Sequence, residues 1–436
     1  MLATVNVSEL QARAQWIAMT MNAKRRRAHD RLAAQPGVRS VRRAVAAPER
    51  QGQDFDLYYV RSGPKSSQPV IFVPGGPGAA SIGSYRNLRK SAVAAGLDVI
   101  MVEHRGVGMS RHDDAGADLP AEALTIDAAV DDIAAVLDAE EVDTAVVYGT
   151  SYGSYLASGL GVRHPGRVQA MVLDSPLLCA DDIDEVRAAT RAVLWDGTAP
   201  STARLAQKVQ TMVAAGQLTP WALQLAAGLY GLLGPDVLEQ ELDLVQTGRG
   251  LLWGAIGQST KMLFERKTPY RHEPDLVGHI GYRELNYGAE PDGLPIDPAL
   301  AYRELATGEK DFVAEPYDLV SEMPNFEWPT VVLSGGRDLT TPPAVARRIA
   351  ELIPRSVLVE LPTAGHSVLD QRERSALAVA RAVRDGQLDD LPSRTAELDM
   401  PNLPLRLMTR GIVTAMAAEG MVPPVLPQTL RQLKTW

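Results

Sequence analysis

The sequence predicts a doubly wound α/β fold whose largely parallel sheet is interrupted by an inserted helical domain. Short apolar runs alternate with helical patterns along the middle of the chain, and these runs stop between about Ser175 and Pro329. Almost wholly apolar runs are typical of parallel strands that helices cover on both faces. The predicted buried strands are Val70–Val73, Val99–Glu103, Ala145–Gly149, Val168–Asp174, Val331–Ser334 and Val357–Leu361, preceded by two weaker strands, Val38–Val45 and Asp54–Arg61.

Helical patterns connect these strands and fill the region that lacks them. Thr125–Ala139 and Tyr152–Arg163 are connecting helices of this kind. The helices predicted in the strand-free region are Asp182–Trp195, Ser201–Ala215, Trp221–Leu233, Val237–Thr247 and Leu251–Phe264. An all-helical insertion between two strands of a sheet predicts a cap domain.

These patterns divide the chain into consecutive segments. The segments are a basic helical N-terminal extension over residues 1–36, a first part of the α/β core over 37–176, a helical cap over 177–329, a second part of the core over 330–388, and a C-terminal tail over 389–436 that packs on the core or the cap.

Composition excludes several classes of protein. Of the 436 residues, 45% are hydrophobic and 22% charged, which is ordinary globular usage and excludes global disorder. No run of about 18 uncharged apolar residues is present, so no transmembrane helix is predicted. Cys179 is the single cysteine, which excludes an internal disulfide and a cysteine-based zinc site. Because no apolar secretory segment follows Met1, the cytoplasm is the predicted location.

The net charge of -9 is unevenly distributed. Residues 1–50 hold ten basic and three acidic side chains, a net of +7, which leaves -16 for the remainder and disfavours nucleic acid as the main ligand. The basic cluster Lys24–Arg27 fits either a nucleic-acid or membrane patch or the solvated face of an amphipathic helix over Val7–Ala34. The amphipathic pattern favours the solvated face.

A candidate nucleophile lies in the motif Gly149–Thr150–Ser151–Tyr152–Gly153, between an apolar strand and a helix. A serine on so tight a strand-to-helix turn is presented above the sheet, and the flanking glycines remove Cβ atoms that would collide. The helix that follows favours developing negative charge at its N-terminus. This context predicts a nucleophilic Ser151.

A nucleophilic hydroxyl needs a base, and His366 is the predicted one among seven histidines. It lies in a small-residue loop after the last predicted strand, at the sheet edge where Ser151 is expected. His104 is the second candidate. His164 is expected at the surface or as a helix cap, and His272 and His279 fall in the predicted cap.

Asp338 is the predicted acid that orients His366, because it follows the preceding strand in Ser334–Gly335–Gly336–Arg337–Asp338. The chain order serine, aspartate, histidine is that of α/β hydrolases. Asp174, at the end of an earlier strand, is the competing acid and is otherwise a structural turn residue.

Backbone amides that could bind an oxyanion are also predicted. The loop Pro74–Gly75–Gly76–Pro77–Gly78 follows a strand, and its glycines allow close approach to a substrate carbonyl. We expect the amide of Gly76, rather than Gly75, and the amide of Tyr152 to be the two donors.

Together these motifs resemble the proline iminopeptidase family of α/β hydrolases, and within it the actinobacterial tripeptidyl-aminopeptidase branch. The likeness rests on the glycine-rich loop, the motif Glu103–His104–Arg105–Gly106–Val107–Gly108–Met109–Ser110, the Ser151 motif, Asp338 and Gly365–His366. Pro74 replaces the usual histidine of the loop, and Glu103 stands where aspartate is expected. The likeness covers roughly residues 50–176 and 328–386, and it does not extend to the cap or the termini.

The resemblance implies a serine hydrolase that releases residues or short peptides from a free peptide N-terminus. In such enzymes cap glutamates hold the substrate amine, and Glu284, between Tyr282 and Tyr287, is the candidate for that role. Its alternative is a helix-surface residue paired with Arg283 or Lys267.

Two other functions stay open: an esterase, amidase or lactonase for a small metabolite, and a non-catalytic receptor. We predict a small peptide or acyl substrate, no cofactor or metal, and no nucleic-acid or membrane partner; the oligomeric state is left open.

Overall fold

The computed structural model describes residues 23–265, 267–306 and 311–423. Most of the predicted N-terminal extension and the last residues of the predicted tail therefore lie outside the described residues. The strands are β1 (Val38–Ala44), β2 (Asp54–Ser62), β3 (Val70–Val73), β4 (Val99–Val102), β5 (Ala145–Thr150), β6 (Val168–Asp174), β7 (Thr330–Gly335) and β8 (Ser356–Leu361).

All of these strands belong to one sheet with the order β1-β2-β4-β3-β5-β6-β7-β8. The β1–β2 and β2–β4 pairs are antiparallel, and every pair from β4 to β8 is parallel. This mostly parallel sheet confirms the predicted fold class. Because the carboxyl ends of parallel strands meet at one edge, the loops after β3, β5, β7 and β8 lie close together.

The apolar runs are explained by two cores, one on each face of the sheet. In β3, Ile71 and Val73 belong to one apolar cluster, whereas Val70 and Phe72 belong to the other. Successive side chains of a strand point to opposite faces, so a strand covered on both faces must be apolar at every position.

The helices, in chain order, are α1 (residues 23–33), α2 (Ser81–Ser84), α3 (Arg86–Ala94), α4 (Ile126–Ala139), α5 (Tyr152–Arg163), α6 (Asp182–Leu194), α7 (Ala203–Ala214), α8 (Pro220–Leu233), α9 (Pro235–Gln246), α10 (Leu251–Glu265), α11 (Pro274–Val277), α12 (His279–Leu285), α13 (Pro298–Leu305), α14 (Leu319–Glu322), α15 (Pro343–Leu352), α16 (Val368–Gln371), α17 (Glu373–Arg384), α18 (Thr395–Leu398) and α19 (Leu403–Met421).

The insertion between β6 and β7 contains α6 to α14 in its described residues. Leu205, Val209 and Leu238 belong to an apolar core of its own, distinct from the two sheet cores. Within the insertion the helices that follow α10 have at most eight residues, and Pro274 and Pro298 each begin one. Proline is tolerated in the first turn of a helix but not in its interior, which explains why this stretch is divided.

One arginine of the basic cluster near the N-terminus contacts the insertion. Arg25 forms an ion pair with Glu273 of the insertion (3.0 Å) and lies over the ring of Tyr270. The other side chains of the cluster, Lys24, Arg26 and Arg27, are exposed. Arg25 therefore links α1 to the insertion, and the remaining charges of the cluster face solvent.

The C-terminal helix α19 packs against the insertion. The carboxylate of Glu419 accepts the amide hydrogens of Leu251 and Leu252 at the start of α10 (2.6 and 3.0 Å). The predicted tail thus contains a helix, and this helix contacts α10. None of the helices in the described ranges has both the length and the apolar character needed to cross a membrane.

Candidate active site

Ser151 lies in a sharp turn between β5 and α5. Its backbone has φ 52° and ψ -127°, a conformation that residues other than glycine rarely adopt. The Ser151 amide donates to the carbonyl of Asp174 (2.9 Å), and its carbonyl accepts from the amide of Ser154 (2.8 Å). These hydrogen bonds hold the strained turn, which places the hydroxyl at the carboxyl edge of the sheet.

Two glycines make this turn possible. A Cβ atom on Gly149 would collide with the backbone of Gly153, and one on Gly153 would collide with the carbonyls of Val73 and Pro74. The spacing of the motif therefore follows from the close packing of the first turn of α5 against β5 and the end of β3.

Ser151, His366 and Asp338 form one row of hydrogen bonds. Nε2 of His366 lies 2.9 Å from Oγ of Ser151, and Nδ1 of His366 lies 2.9 Å from Oδ2 of Asp338. Asp338 follows β7 and is 1% exposed, whereas His366 follows β8 and is partly exposed. The structure thus brings the predicted nucleophile, base and acid together in bonding geometry.

Two threonines after Asp338 hold its carboxylate in place. The amides of Thr340 and Thr341 donate to Oδ1 (2.8 and 2.9 Å), and the Thr341 hydroxyl donates to Oδ2 (2.9 Å). The same hydroxyl lies 3.2 Å from Nδ1 of His366. Sequence reasoning missed Thr341; the signal was an aspartate followed by threonine three residues later, a spacing that favours local capping.

Asp338 and His366 each shift the pKa of the other toward its charged form. Burial alone would raise the pKa of Asp338, but the His366 imidazole and the threonine amides lower it below its usual value. Burial alone would lower the pKa of His366, but the Asp338 carboxylate outweighs burial and raises the pKa above 6.5. An ionised Asp338 is therefore placed to stabilise a protonated imidazole.

Asp174, the competing acid, forms hydrogen bonds with groups other than the His366 ring. Its carboxylate accepts the amide hydrogens of Val368 (3.0 Å) and Leu369 (2.8 Å) and the hydroxyl of Tyr148 (2.9 Å). Burial raises the pKa of Asp174 to about 6, although these hydrogen bonds act to lower it. It caps the short helix that follows His366, and its side chain makes no hydrogen bond with the imidazole.

Three of the other histidines have surroundings that differ from those of His366. His104, the second candidate base, is buried, and neither ring nitrogen has a hydrogen-bond partner within the described residues. His164 lies beside Asp131 (2.8 Å) at the end of α5. His279 lies between the carbonyls of Leu276 and Leu124.

The glycine-rich loop lies directly beside Ser151. A Cβ atom on Gly75 would come within 3.1 Å of the Cβ atom of Ser151. The amides of Gly76 and Tyr152 donate no hydrogen bond to protein groups of the described chain, so both stay free for a ligand. Tyr152 is the first residue of α5, where the helix dipole favours negative charge.

The Glu103 motif holds the start of the short helix α2, which follows this loop. The Glu103 carboxylate accepts the amide hydrogens of Ser81 (2.6 Å), Ile82 (2.9 Å) and Met109 (3.2 Å). Gly108 has φ 56°, and a Cβ atom there would collide with the same carboxylate. Glu103 therefore ties the start of α2 to the end of its own motif, and its burial raises its pKa to about 7.

Glu284 is buried rather than on the helix surface. It is 7% exposed, and its Oε2 accepts the amide hydrogen of Ile126 at the start of α4 (2.9 Å). Its Oε1 has no hydrogen-bond partner among the described groups. The alternative pairing with Arg283 or Lys267 is not found among the ion pairs of the described residues, and Lys267 pairs with Asp275 instead. Burial raises the pKa of Glu284.

Burial also raises the pKa of Tyr152, and the charge of Glu284 adds to the effect. The Tyr152 side chain, on the residue that follows Ser151, is thus one of the groups whose pKa the Glu284 charge affects. The neighbouring Tyr282 and Tyr287 pack edge to face against each other, with ring centroids 6.4 Å apart.

A doubly wound sheet with a serine, a histidine and an aspartate joined at its carboxyl edge defines the class of α/β hydrolases. Comparison with known families agrees with this class. The chain belongs to the alpha/beta hydrolase fold family, whose model matches residues 68–373. Among the residues that the structure describes, no cluster of histidine, cysteine or acidic side chains could hold a metal ion.

Similar proteins include several hydrolases. A proline iminopeptidase of Neisseria meningitidis is 32% identical over 123 residues, which is 28% of this chain and 37% of that relative. A 2-hydroxymuconate semialdehyde hydrolase of Pseudomonas sp. is 35% identical over 107 residues, 24% of this chain and 35% of the relative. The chain thus matches little more than a third of the length of these curated relatives.

A solved structure of a proline iminopeptidase from Mycobacterium smegmatis has a TM-score of 0.50 and 18% sequence identity. The match covers 80% of this chain and 99% of that one. At this identity the likeness concerns the fold, and it agrees with the sheet described above.

Proposed function

We propose that this hydrolase works through a covalent acyl-enzyme on Ser151 and that its substrates are peptides with a free N-terminus. The observation that supports the mechanism is the pair of 2.9 Å contacts that join Ser151 to His366 and His366 to Asp338. Each contact is short enough for direct proton transfer or orientation.

The proposed reaction has two halves. Nε2 of His366 takes the hydroxyl proton while Oγ of Ser151 forms a bond to the scissile carbonyl carbon, and the carbonyl oxygen becomes an oxyanion. The free amides of Gly76 and Tyr152 hold that oxyanion. His366 then gives its proton to the leaving amine as the old bond breaks, and water repeats the sequence to release the acyl group.

Glu284 supports the choice of peptide substrates. A substrate ammonium needs a carboxylate in a partly dry site, and Oε1 of Glu284, which has no hydrogen-bond partner among the residues that the structure describes, is such a group. Its charge acts on Tyr152, the residue after the nucleophile. The similarity to a proline iminopeptidase over 123 residues also favours peptide substrates.

A second candidate is an esterase for a small, mainly apolar acyl group. The cleft beside Ser151 is lined largely by apolar groups, Pro77, Ala79, Val107, Val277 and Ile280 among them, and Glu284 is not part of its wall. A neutral ester fits such a wall at least as well as a peptide.

Two measurements test these proposals. Mass spectrometry after treatment with a fluorophosphonate should show one adduct on Ser151, and the Ser151→Ala variant should show none. An unmodified wild-type protein would contradict the acyl-enzyme mechanism. A panel of aminoacyl anilides and matched esters then separates the substrates, because an esterase would leave every anilide uncleaved.

A further inference from the structure

The backbone of the insertion pairs with the end of the glycine-rich loop. The amide of Glu273 donates to the carbonyl of Gly78 (2.9 Å). The amide of Ala80 donates to the carbonyl of Arg271 at the same distance of 2.9 Å, so the two hydrogen bonds form an antiparallel bridge. Gly76, whose amide is a proposed oxyanion donor, comes two residues before Gly78. The position of that amide therefore depends on where the insertion holds Gly78.

The side chain of Glu273 is a buried carboxylate. It is fully covered, and its Oε2 accepts the amide hydrogen of Gly108 in the Glu103 motif (2.6 Å). Its Oε1 lies 3.0 Å from Nη1 of Arg25 and 3.8 Å from Nη1 of Arg111. The Arg111 guanidinium is already hydrogen-bonded to two other carboxylates. Arg25 is therefore the nearest counter-charge of Glu273 among the described residues, and a buried charge that loses its partner is strongly destabilising.

Arg25 reaches this carboxylate from α1, outside the residues that match the family model. Its guanidinium lies over the ring of Tyr270 (5.1 Å), and its backbone carbonyl accepts the Tyr270 hydroxyl hydrogen (3.0 Å). Its Nη2 also donates to the carbonyl of Gly108 (3.4 Å). Arg25 thus contacts both the insertion and the Glu103 motif, whereas the adjacent Arg26 is exposed.

We propose that Arg25 is a positioning residue for the oxyanion site. By compensating the Glu273 carboxylate, it keeps the insertion paired with the glycine-rich loop, and this pairing holds the amide of Gly76 in place. The inference rests on the proposed acyl-enzyme mechanism, in which acylation and deacylation both pass through an oxyanion. A displaced donor slows both steps and lowers kcat, while KM changes little, because the donor acts on charge that develops in the transition state.

The test compares substitutions of Arg25 and of its exposed neighbour. Arg25→Met keeps an unbranched side chain over the Tyr270 ring but removes the charge. It should lower kcat for p-nitrophenyl acetate by about 5- to 50-fold and change KM by less than about threefold, a smaller loss than the roughly 10²- to 10³-fold cost of deleting an oxyanion donor. Arg25→Lys keeps the charge and should retain most of the activity. Arg26→Met, the matched control on the same helix, should leave kcat and KM unchanged.

A double variant tests whether charge compensation is the cause. In Arg25→Met/Glu273→Gln the uncompensated charge is gone, and the glutamine carbonyl oxygen is still an acceptor for the Gly108 amide. Its kcat should return to within about threefold of the wild-type value. If Arg25→Met folds too poorly to assay, Arg25→Gln, which keeps a donor for the Glu273 carboxylate, replaces it in both comparisons.

Rates are expressed per active site titrated with a fluorophosphonate, so that unfolded protein does not contribute to them. An unchanged kcat in Arg25→Met, a rise of KM alone, or a loss of kcat that the double variant does not restore would overturn this inference while the wild type is still labelled. A wild-type protein that is neither labelled nor active would overturn the proposed mechanism instead.

Discussion

Oγ of Ser151 and Nε2 of His366 lie 2.9 Å apart, although 215 positions separate the two residues in the chain. The hydroxyl is held by a strained turn after β5, and the imidazole by a loop after β8. Their contact depends on the parallel sheet, which brings both loops to one edge.

The first prediction concerns the hydroxyl. Ser151→Ala should lower kcat by about 10⁴-fold or more, because no other group can form the covalent bond. Circular dichroism should show an unchanged fold. A variant that keeps a tenth of the activity would show that Ser151 is not the nucleophile.

The second prediction concerns the strain at the same position. Ser151→Gly should be more stable to unfolding than Ser151→Ala by about 1 kcal/mol, because glycine adopts φ 52° without the steric cost of a Cβ atom. Both variants lack the hydroxyl, so the difference reports the backbone strain less the greater entropy of glycine in the unfolded chain. A Ser151→Gly variant that is less stable in urea than Ser151→Ala would mean that the strain is too small to outweigh that entropy.

The third prediction is a pH profile. His366 must be neutral to accept the proton, and Asp338 raises its pKa above 6.5. The value of kcat/KM should therefore fall as pH decreases, with a midpoint on the alkaline side of 6.5. A profile that stays flat between about pH 5 and 8 would exclude His366 as the base.

The fourth prediction compares the two aspartates. Asp338→Asn should lower kcat by about 10³- to 10⁴-fold, since a neutral amide no longer stabilises the protonated imidazole. Asp174→Asn should instead lower the free energy of unfolding by about 1–3 kcal/mol, because one of the two buried amides it caps then faces an NH₂ group.

Kinetics and urea unfolding of both variants check this assignment. A large loss of kcat in Asp174→Asn together with a nearly normal Asp338→Asn would show that the roles are reversed.

The fifth prediction tests amine recognition. Glu284→Gln should weaken kcat/KM for free-amine peptides by about 2–4 kcal/mol, the cost of leaving a charge unpaired in a partly buried site. A neutral ester has no ammonium to lose, so its value should hardly change. Parallel assays of an alanyl anilide and an ester measure the difference.

Glu241→Gln is the matched control for that experiment. Glu241 is a second buried glutamate of the insertion, 2% exposed on α9, and burial followed by the charge of Glu419 raises its pKa to about 7. Its substitution should leave the ratio of the two activities unchanged. Equal losses on both substrates in Glu284→Gln would point to its hydrogen bond with Ile126 as its whole role.

Much of the fold, and the residues Ser151, His366 and Asp338, could be predicted because the sequence patterns that indicate them are local. A strand buried on both faces is apolar at every position, as Val70–Val73 is, and a serine turn between strand and helix needs its glycines. The loops that hold Asp338 and His366 each follow an apolar run, so the sheet rule alone placed them near Ser151.

The tertiary structure decided which polar groups meet across the molecule. Glu284 reaches the amide of Ile126 over 158 positions, and Arg25 reaches Glu273 in the insertion. No local pattern encodes such contacts, because they depend on how the insertion packs on the sheet. The same packing buries the His104 ring without a hydrogen-bond partner in the described part of the chain, which the sequence could not indicate. Periodicity shows which residues are covered, whereas a hydrogen bond depends on atoms that the whole fold brings within about 3 Å.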